Sequence, residues 1–119
     1  MQDFKNLRVW KRAHELTLEV YSETRSFPPE ETYGLRIQMR RSAASIGMNI
    51  AEGCGRRGDA EFGRFLQIAM GSATELEYQV MLARDLSLLG GPQSTRLSTR
   101  VQEVKKMTAT RLRKLRADS

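Results

Sequence analysis

The sequence predicts an all-α protein, folded as an antiparallel up-down-up-down four-helix bundle. Apolar residues recur at spacings of three and four along four long segments, and no segment alternates with period two for long enough to form a strand. The connections between these segments are short, and several contain proline or glycine. A chain of 119 residues is long enough for one domain with its own core. We therefore expect a single domain over residues 1–119, with helices at about 6–26, 29–53, 59–89 and 94–116.

Helix 1 is predicted to begin near Asn6 or Leu7 and to end before Phe27, because Pro28 and Pro29 follow. Its expected inward face consists of Trp10, Ala13, Thr17, Val20, Tyr21 and Thr24. The opposite side is charged, with lysine and arginine early and glutamate late. This order opposes the helix dipole, so we expect packing against the other helices to stabilise helix 1.

Helix 2 differs from the others because it carries two apolar stripes. At about 100° per residue, one stripe falls on the side expected to face the core. That stripe consists of Leu35, Met39, Ala43, Ile46 and Ile50. The second stripe falls roughly opposite and consists of Ile37, Ala44, Met48 and Ala51. We predict an oligomer interface at Ile37, Ala44 and Met48, because an exposed apolar stripe is a liability on a monomer. The alternative is a broadly apolar helix that lies deep in its own bundle.

The other helix boundaries follow from capping residues and helix breakers. Pro29 suits the first turn of helix 2, and Gly53-Cys54-Gly55 ends that helix. Asp59 is a good N-cap for helix 3, which Gly90-Gly91-Pro92 is expected to end. The inward residues of helix 3 are predicted to be Phe62, Phe65, Leu66, Ala69, Ala73, Leu76, Val80 and Ala83. Those of helix 4 are predicted to be Leu97, Val101, Val104, Thr108, Leu112 and Leu115.

The composition is that of an ordinary folded domain, with 39% hydrophobic and 29% charged residues. The first residues contain no apolar run typical of a signal peptide or a membrane span, so we expect a cytoplasmic protein that makes no membrane contact. Cys54 is the single cysteine, which excludes a disulfide or a cysteine-based zinc cluster within one chain. His14 is the single histidine and lacks a companion at metal-ligand spacing. We expect no cofactor, no metal and no catalytic residue.

The net charge of +6 is concentrated at the C-terminus. Residues 1–95 carry 12 basic and 12 acidic residues, whereas residues 96–119 carry eight basic and two acidic residues. The eight basic residues are Arg96, Arg100, Lys105, Lys106, Arg111, Arg113, Lys114 and Arg116. We predict that they bind RNA or DNA, because a concentrated positive field favours polyanions. No aromatic residue lies among them to stack bases, so such binding would be directed at the backbone and non-specific. The alternative is a solvated helix face.

A second set of arginines lies on helix 2. Because helices 2 and 3 are expected to form an antiparallel hairpin, Arg36, Arg40 and Arg41 should lie near Glu75 and Glu77. We predict structural ion pairs among these residues, either between helices 2 and 3 or between two subunits. The alternative is that the arginines line a nucleic-acid surface.

The turn between helices 2 and 3 contains a glycine motif with a structural interpretation. Residues 53–58 match G-x-G-x-x-G, but they close one helix and lead to the next, whereas a dinucleotide site needs this motif after a strand. Arg56 and Arg57 precede helix 3, where a phosphate could bind, although a cap and turn is the favoured interpretation. Asn49 and Glu52 are expected to satisfy polar groups at the turn or in a subunit contact rather than to act as acid and base.

Trp10 and the segments FPPEETYGLRIQMRRSAASIGMNIAEGCGR and EFGRFLQIAMGSATELEYQ resemble the bacterial four-helix-bundle family of rRNA intervening-sequence proteins. The resemblance spans roughly residues 4–90 and leaves the function of the basic C-terminal segment open. The resemblance implies a family whose molecular function is largely unassigned. A more distant resemblance is to the accessory variability determinants of diversity-generating retroelements, which form basic homopentameric rings that bind nucleic acid and a reverse transcriptase. The resemblance implies a homopentamer and a possible protein partner such as a reverse transcriptase.

Two functional hypotheses follow. The first is a non-enzymatic homo-oligomer, with a pentamer favoured, that binds RNA or DNA through basic surfaces, chiefly Arg96 to Arg116 of helix 4 with help from helix 1. The second is an oligomeric adaptor whose charge attracts an acidic protein and which makes no direct contact with nucleic acid.

Overall fold

The computed structural model describes residues 2–31 and 34–118, and they form an all-α structure without a strand. The four main helices are α1 (Arg8–Glu23), α2 (Leu35–Cys54), α3 (Asp59–Asp85) and α4 (Gly91–Asp118). Two short 3₁₀ turns precede α1 and α2, at Phe4–Asn6 and Pro29–Glu31. The predicted all-α class and the four-helix count are therefore confirmed over these residues.

Consecutive helices run antiparallel, as interhelical contacts show. Ser42 Oγ lies 2.7 Å from Glu75 Oε1, and Ser45 Oγ lies 2.8 Å from Ser72 Oγ. The residue numbers increase along α2 as they decrease along α3, so the two helices are antiparallel. Each helix packs against two neighbours, α1 and α3 both contacting α2 and α4. Accordingly α2 and α4 lie diagonally across the bundle, which measures 46 × 22 × 20 Å.

The two ends of the bundle differ in what they contain. At the terminal end, defined here as the end where α1 and α3 begin and α2 and α4 finish, Gln2 N donates to Cys54 O at 3.2 Å. At the far end, defined as the end with the α1–α2 and α3–α4 connections, Arg36 Nε donates to Thr24 O at 3.0 Å.

Most of the predicted core is buried as expected. The core stripe of α2 and every predicted inward residue of α3 are buried. On α4 the buried residues include Leu97, Val101, Val104, Thr108 and Leu112. Leu115 is only half-buried, because it lies in the last turns of α4 near the end of the bundle.

The core side of α1 is rotated from the predicted one. It consists of Val9, Ala13, Leu16, Val20 and Thr24. The prediction that Tyr21 faces inward is wrong, because Tyr21 lies about 100° around the helix from Val20 and remains 43% exposed. Its ring lies under the Arg40 guanidinium, whose carbon is 4.6 Å from the ring centroid. Trp10 and Thr17 are half-buried on the side facing α2.

Helix α2 begins later than predicted, at Leu35 rather than residue 29. The residues Pro29–Glu31 form a 3₁₀ turn, and the Glu31 carboxylate accepts a hydrogen bond from Leu35 N at 2.8 Å. This acceptor satisfies one of the amide groups that a helix N-terminus leaves without a backbone partner. The predicted helix also included residues 32 and 33, which lie outside the described residues.

The α3–α4 connection also differs from the prediction. Helix α3 ends at Asp85 rather than residue 89, and α4 begins at Gly91 rather than residue 94. Ser87 has a φ of 61°, in the left-handed region, which reverses the chain. Leu88 N and Leu89 N then both donate to Ala83 O, at 2.8 and 3.3 Å. These bonds close the end of α3 before the Gly90-Gly91-Pro92 run that was expected to do so.

Candidate nucleic-acid interface

The first half of α4 is paired with the acidic half of α1. Arg96 Nη2 lies 3.7 Å from Glu23 Oε1, and Arg100 Nε lies 2.5 Å from Glu19 Oε2. Glu15 adds a longer contact to Arg100, with 3.9 Å between the charged atoms. These carboxylates compensate two of the eight predicted binding residues within the chain.

Lys105 is compensated from the other side of α4. Its Nζ lies 2.7 Å from Glu77 Oε1 of α3, and Gln102 Nε2 donates to Glu77 Oε2 at 2.6 Å. The hydrogen bond from Lys105, with a smaller contribution from Gln102, lowers the pKa of the Glu77 carboxyl below its usual value. Three predicted binding residues, Arg96, Arg100 and Lys105, therefore lie in ion pairs within the bundle.

The second half of α4, at the terminal end, has few acidic neighbours. Lys106 and Lys114 are exposed, and within residues 2–31 and 34–118 neither has a hydrogen-bond or ion-pair partner. Arg113 donates to Thr110 Oγ1 on its own helix at 3.1 Å. Arg116 is also exposed at this end. Here the positive charge of α4 faces outward.

A groove of about 520 Å³ separates this half of α4 from the start of α1. It is lined by Asn6, Leu7, Arg8, Val9, Lys106, Met107, Thr110, Arg111 and Lys114. Four of these residues are cations, one from α1 and three from α4, and no carboxylate is among them. We call this feature the α1–α4 groove.

Arg111 lies at the inner end of the groove, where several helices meet. Its Nη2 donates to Gln2 Oε1 at 3.3 Å, and its guanidinium carbon lies 5.8 Å from the Phe62 ring centroid. Its Nε is buried and has no hydrogen-bond partner among the described residues. Burial raises the pKa of the neighbouring Cys54 thiol, and the positive charge of Arg111 only partly offsets this effect.

Sequence reasoning expected helix 1 to help bind nucleic acid but did not single out Arg8, although a signal for this residue was present. Basic residues come first along α1 and glutamates later. Once α1 packs antiparallel to α4, its acidic half must lie beside Arg96 and Arg100, and its basic start beside the end of α4. The charge order of α1 and the helix order together predict this arrangement.

The predicted ion pairs between α2 and α3 are not formed within the described part of the chain. Arg40 instead binds α1, donating to Thr24 Oγ1 at 3.0 Å and to Tyr21 O at 3.1 Å. Arg36 donates to the main-chain oxygens of Thr24, Phe27 and Pro28.

The two glutamates also bind elsewhere. Glu75 accepts from Ser42, whereas Glu77 binds α4, because two residues along a helix turn the side chain by about 200°. Arg41 is exposed. Pairing of Arg41 across a subunit contact remains a prediction.

The second apolar stripe of α2 lies on the surface of the single chain. Met48 is 69% exposed, and Ile37 and Ala44 are half-buried. The stripe borders a groove of about 320 Å³ between α1 and α2. Trp10 and His14 form part of the wall, with their rings stacked at a centroid distance of 5.1 Å.

The remaining candidates have local structural partners. Asn49 Nδ2 donates to Ser45 O at 2.8 Å, and Glu52 Oε1 accepts from Arg56 Nη2 at 2.6 Å. Among the described residues, no three His, Cys, Asp or Glu side chains form a group that could hold a metal ion. None of the four helices, as far as the structure describes them, has an apolar stretch of the length that a bilayer requires.

Comparison with known proteins agrees with the fold. The chain is similar over 88% of its length to a solved structure of a protein of unknown function from the S23 ribosomal protein family of Bacteroides thetaiotaomicron. The match covers 95% of that chain, with a TM-score of 0.82 and 24% sequence identity. No curated protein matches.

The family model for the 23S rRNA-intervening sequence protein matches residues 5–110, which includes all of α1, α2 and α3 and most of α4. This match extends beyond the residues on which the sequence resemblance was based. It confirms that resemblance, and the chain belongs to the family of 23S rRNA-intervening sequence proteins.

Proposed function

We propose that this protein binds RNA or DNA non-specifically through the terminal end of the bundle, and that it does so without catalysing a reaction. The observation that carries the proposal is the lining of the α1–α4 groove, which contains four cations and no carboxylate. Arg96 and Arg100, in the first half of the same helix, have acidic neighbours instead. A cluster without them has the electrostatic character of a polyanion site.

The proposed interface is narrower than the set of eight residues on α4. Arg96, Arg100 and Lys105 already have carboxylate partners, so binding a phosphate there would require breaking an ion pair. The residues proposed to carry the interaction are the four cations of the α1–α4 groove, Arg8, Lys106, Arg111 and Lys114. Arg113 and Arg116 do not line the groove. Guanidinium and ammonium groups bind phosphates without reading base identity, so the expected binding is non-specific.

Filter binding of labelled RNA and DNA across a salt series tests this function. We expect the logarithm of the affinity to fall linearly with the logarithm of the salt concentration, with a slope of about −0.7 per phosphate contact for a single strand. Scrambling the oligonucleotide sequence should leave the affinity unchanged. Absence of binding at low salt, or binding that is indifferent to salt, would rule the proposal out.

A pull-down from a lysate treated with nuclease distinguishes direct nucleic-acid binding from the adaptor hypothesis. If the protein binds nucleic acid directly, partners that reach it through RNA or DNA are lost after digestion. A protein partner that persists after digestion, together with a negative filter-binding result, would favour the adaptor instead.

We also propose that the chain associates with itself through Ile37, Ala44 and Met48. Support comes from the exposure of Met48 and from the adjoining groove between α1 and α2. Burying Met48 against another copy would remove a large apolar side chain from water, worth about 1.5–3 kcal/mol if burial were complete. A pentamer is the favoured assembly, as the distant resemblance implies.

A further inference from the structure

We propose that the α1–α4 groove holds a single strand of nucleic acid, with Arg8 and Lys114 on opposite walls binding its phosphates. This inference rests on the proposed function and specifies where the ligand lies and in which form. It assigns a binding role to Arg8, a residue outside the basic helix. It also assigns a role to Met107 in the floor of the groove.

The first step is electrostatic. Arg8 of α1 faces Lys106 and Lys114 of α4 across the groove, and among the described residues none of these three side chains has an ion-pair partner. Like charges that face each other repel, and the repulsion disfavours the folded chain unless an anion lies between them. An anion in the groove therefore interacts favourably with both walls at once.

The second step concerns the length of the anion. Lys106 and Lys114 are eight positions apart on one helix, which separates their backbones by about 12 Å at the rise of an α-helix. A single phosphate group at one end of the groove cannot interact closely with the cation at the other end. A chain of phosphates can, because it presents successive charges along the groove.

The third step distinguishes a single strand from a duplex. The floor of the groove is apolar, formed by the buried side chain of Val9 and the half-buried Leu7 and Met107. A duplex has its bases stacked inside and would contact the charged rims while leaving this floor in water. A single strand has unpaired bases that can lie against apolar side chains. Met107 is the most suitable contact, because thioethers pack well against aromatic rings.

The test is fluorescence anisotropy with labelled oligouridylate and with its duplex, using the full chain. Arg8→Gln and Lys114→Gln should each weaken oligouridylate binding roughly tenfold, which is the effect of losing one charged hydrogen bond. Each should also reduce the salt slope by about 0.7. Arg113→Gln is the matched control, since it removes the same charge next to Lys114 from a side chain that does not line the groove.

A second variant tests the apolar floor. Met107→Gln keeps the approximate shape and the net charge, so it should weaken oligouridylate binding several-fold and leave duplex binding unchanged. Thermal melts of every variant, followed by circular dichroism, show whether it is folded. Inorganic phosphate added at the same ionic strength as chloride should displace no more oligouridylate than chloride does.

The outcomes separate this inference from the proposed function. If Arg113→Gln weakens binding as much as Lys114→Gln, the field is diffuse and the groove is not the site, although the protein still binds nucleic acid. Duplex binding equal to oligouridylate binding overturns the single-strand assignment, and strong competition by phosphate would make the groove a site for one phosphate. If the unmodified protein binds neither oligonucleotide, both proposals fail.

Discussion

At the scale of single residues, Gly53 has a defined structural role. It lies in the last turn of α2, against the start of α3. A Cβ atom at this position would lie 2.9 Å from both Phe62 Cδ1 and Phe65 Cβ, closer than two carbon atoms can approach without strain. The Gly53 backbone is helical, so any residue could adopt its conformation. Glycine is required there because the two helices approach too closely for a side chain. The sequence analysis interpreted Gly53 as part of the segment that ends helix 2. The close contact with Phe62 and Phe65 could not be predicted, because a sequence does not give the distance between two helices.

Gly53→Ala should therefore destabilise the protein, whereas Gly71→Ala should stabilise it. Adding a methyl group at residue 53 forces the phenylalanines or the helices to move, at a cost of about 1–3 kcal/mol. Residue 71 lies within α3, and a methyl group added there would have no neighbouring atom within 4 Å among the described residues. Alanine at this position should add up to about 1 kcal/mol through helix propensity. Urea unfolding of the two variants measures the difference, and equal effects would contradict the close approach.

Glu77 is expected to give the stability of the protein a specific pH dependence. Because its folded-state pKa is lowered by Lys105, its contribution is present above its unfolded pKa and is lost as the pH falls through its folded pKa. Near neutral pH, Glu77→Gln should cost about 0.5 kcal/mol, a value typical of a partly exposed ion pair. The difference from the unmodified protein should vanish in acid.

Denaturant unfolding at several pH values measures this effect. In a Lys105→Gln background, Glu77→Gln should have a much smaller effect at neutral pH, because the main cause of the lowered pKa is gone. A cost for Glu77→Gln that stays constant from neutral pH into acid would contradict the pairing.

At the scale of elements, the α1–α2 connection shows where sequence reasoning succeeds and where it stops. Apolar periodicity correctly predicted four helices over the described residues, because burial of one face dominates helix stability. It placed the start of helix 2 at Pro29, whereas α2 begins at Leu35. Besides the local bond from Leu35 N to the Glu31 carboxylate, the Arg36 and Arg40 guanidinium groups bind carbonyl and hydroxyl oxygens at the end of α1 and join the two helices. The arginine bonds join distant parts of the chain and leave no local sequence signal.

Arg40→Lys should loosen the end of α1. Lysine keeps the charge but cannot bind Thr24 Oγ1 and Tyr21 O with two separate nitrogens, so we expect a loss of about 1 kcal/mol. Hydrogen exchange measured by mass spectrometry should show faster exchange over residues 21–28. Arg41→Lys is the control, because that side chain is exposed and has no partner among the described residues. Equal exchange in the two variants would show that Arg40 does not hold this connection.

At the scale of the whole molecule, the distribution of charge follows from the packing of the helices. The sequence showed that the surplus positive charge lies after residue 95. It did not show that Arg96 and Arg100 are neutralised by Glu23 and Glu19, because this depends on α1 and α4 being neighbours. On α4, the cations without a hydrogen-bond or ion-pair partner in the described residues consequently lie toward the terminal end, at Lys106 and Lys114. This is why the candidate interface is smaller than predicted and includes a residue of α1.

Self-association is the prediction that belongs to the whole molecule. Light scattering should give a mass above the 13.6 kDa of one chain, and Met48→Glu should shift it toward the single-chain value because burying an unpaired carboxylate is costly. Met81→Glu is the matched control, since Met81 is 48% exposed on α3 and lies outside the second stripe of α2. A single-chain mass for the unmodified protein at micromolar concentration would contradict the interface.

The diagonal placement of α2 and α4 has a consequence for how assembly and ligand binding combine. If copies of the chain associate through the second apolar stripe of α2, α4 lies on the opposite side of each bundle. The α1–α4 groove then stays accessible to a ligand. Several grooves on one particle can then engage one long strand, and each further attachment is intramolecular. The apparent affinity for long strands should exceed that for short ones through avidity alone, and the advantage should disappear when the particle is reduced to single chains.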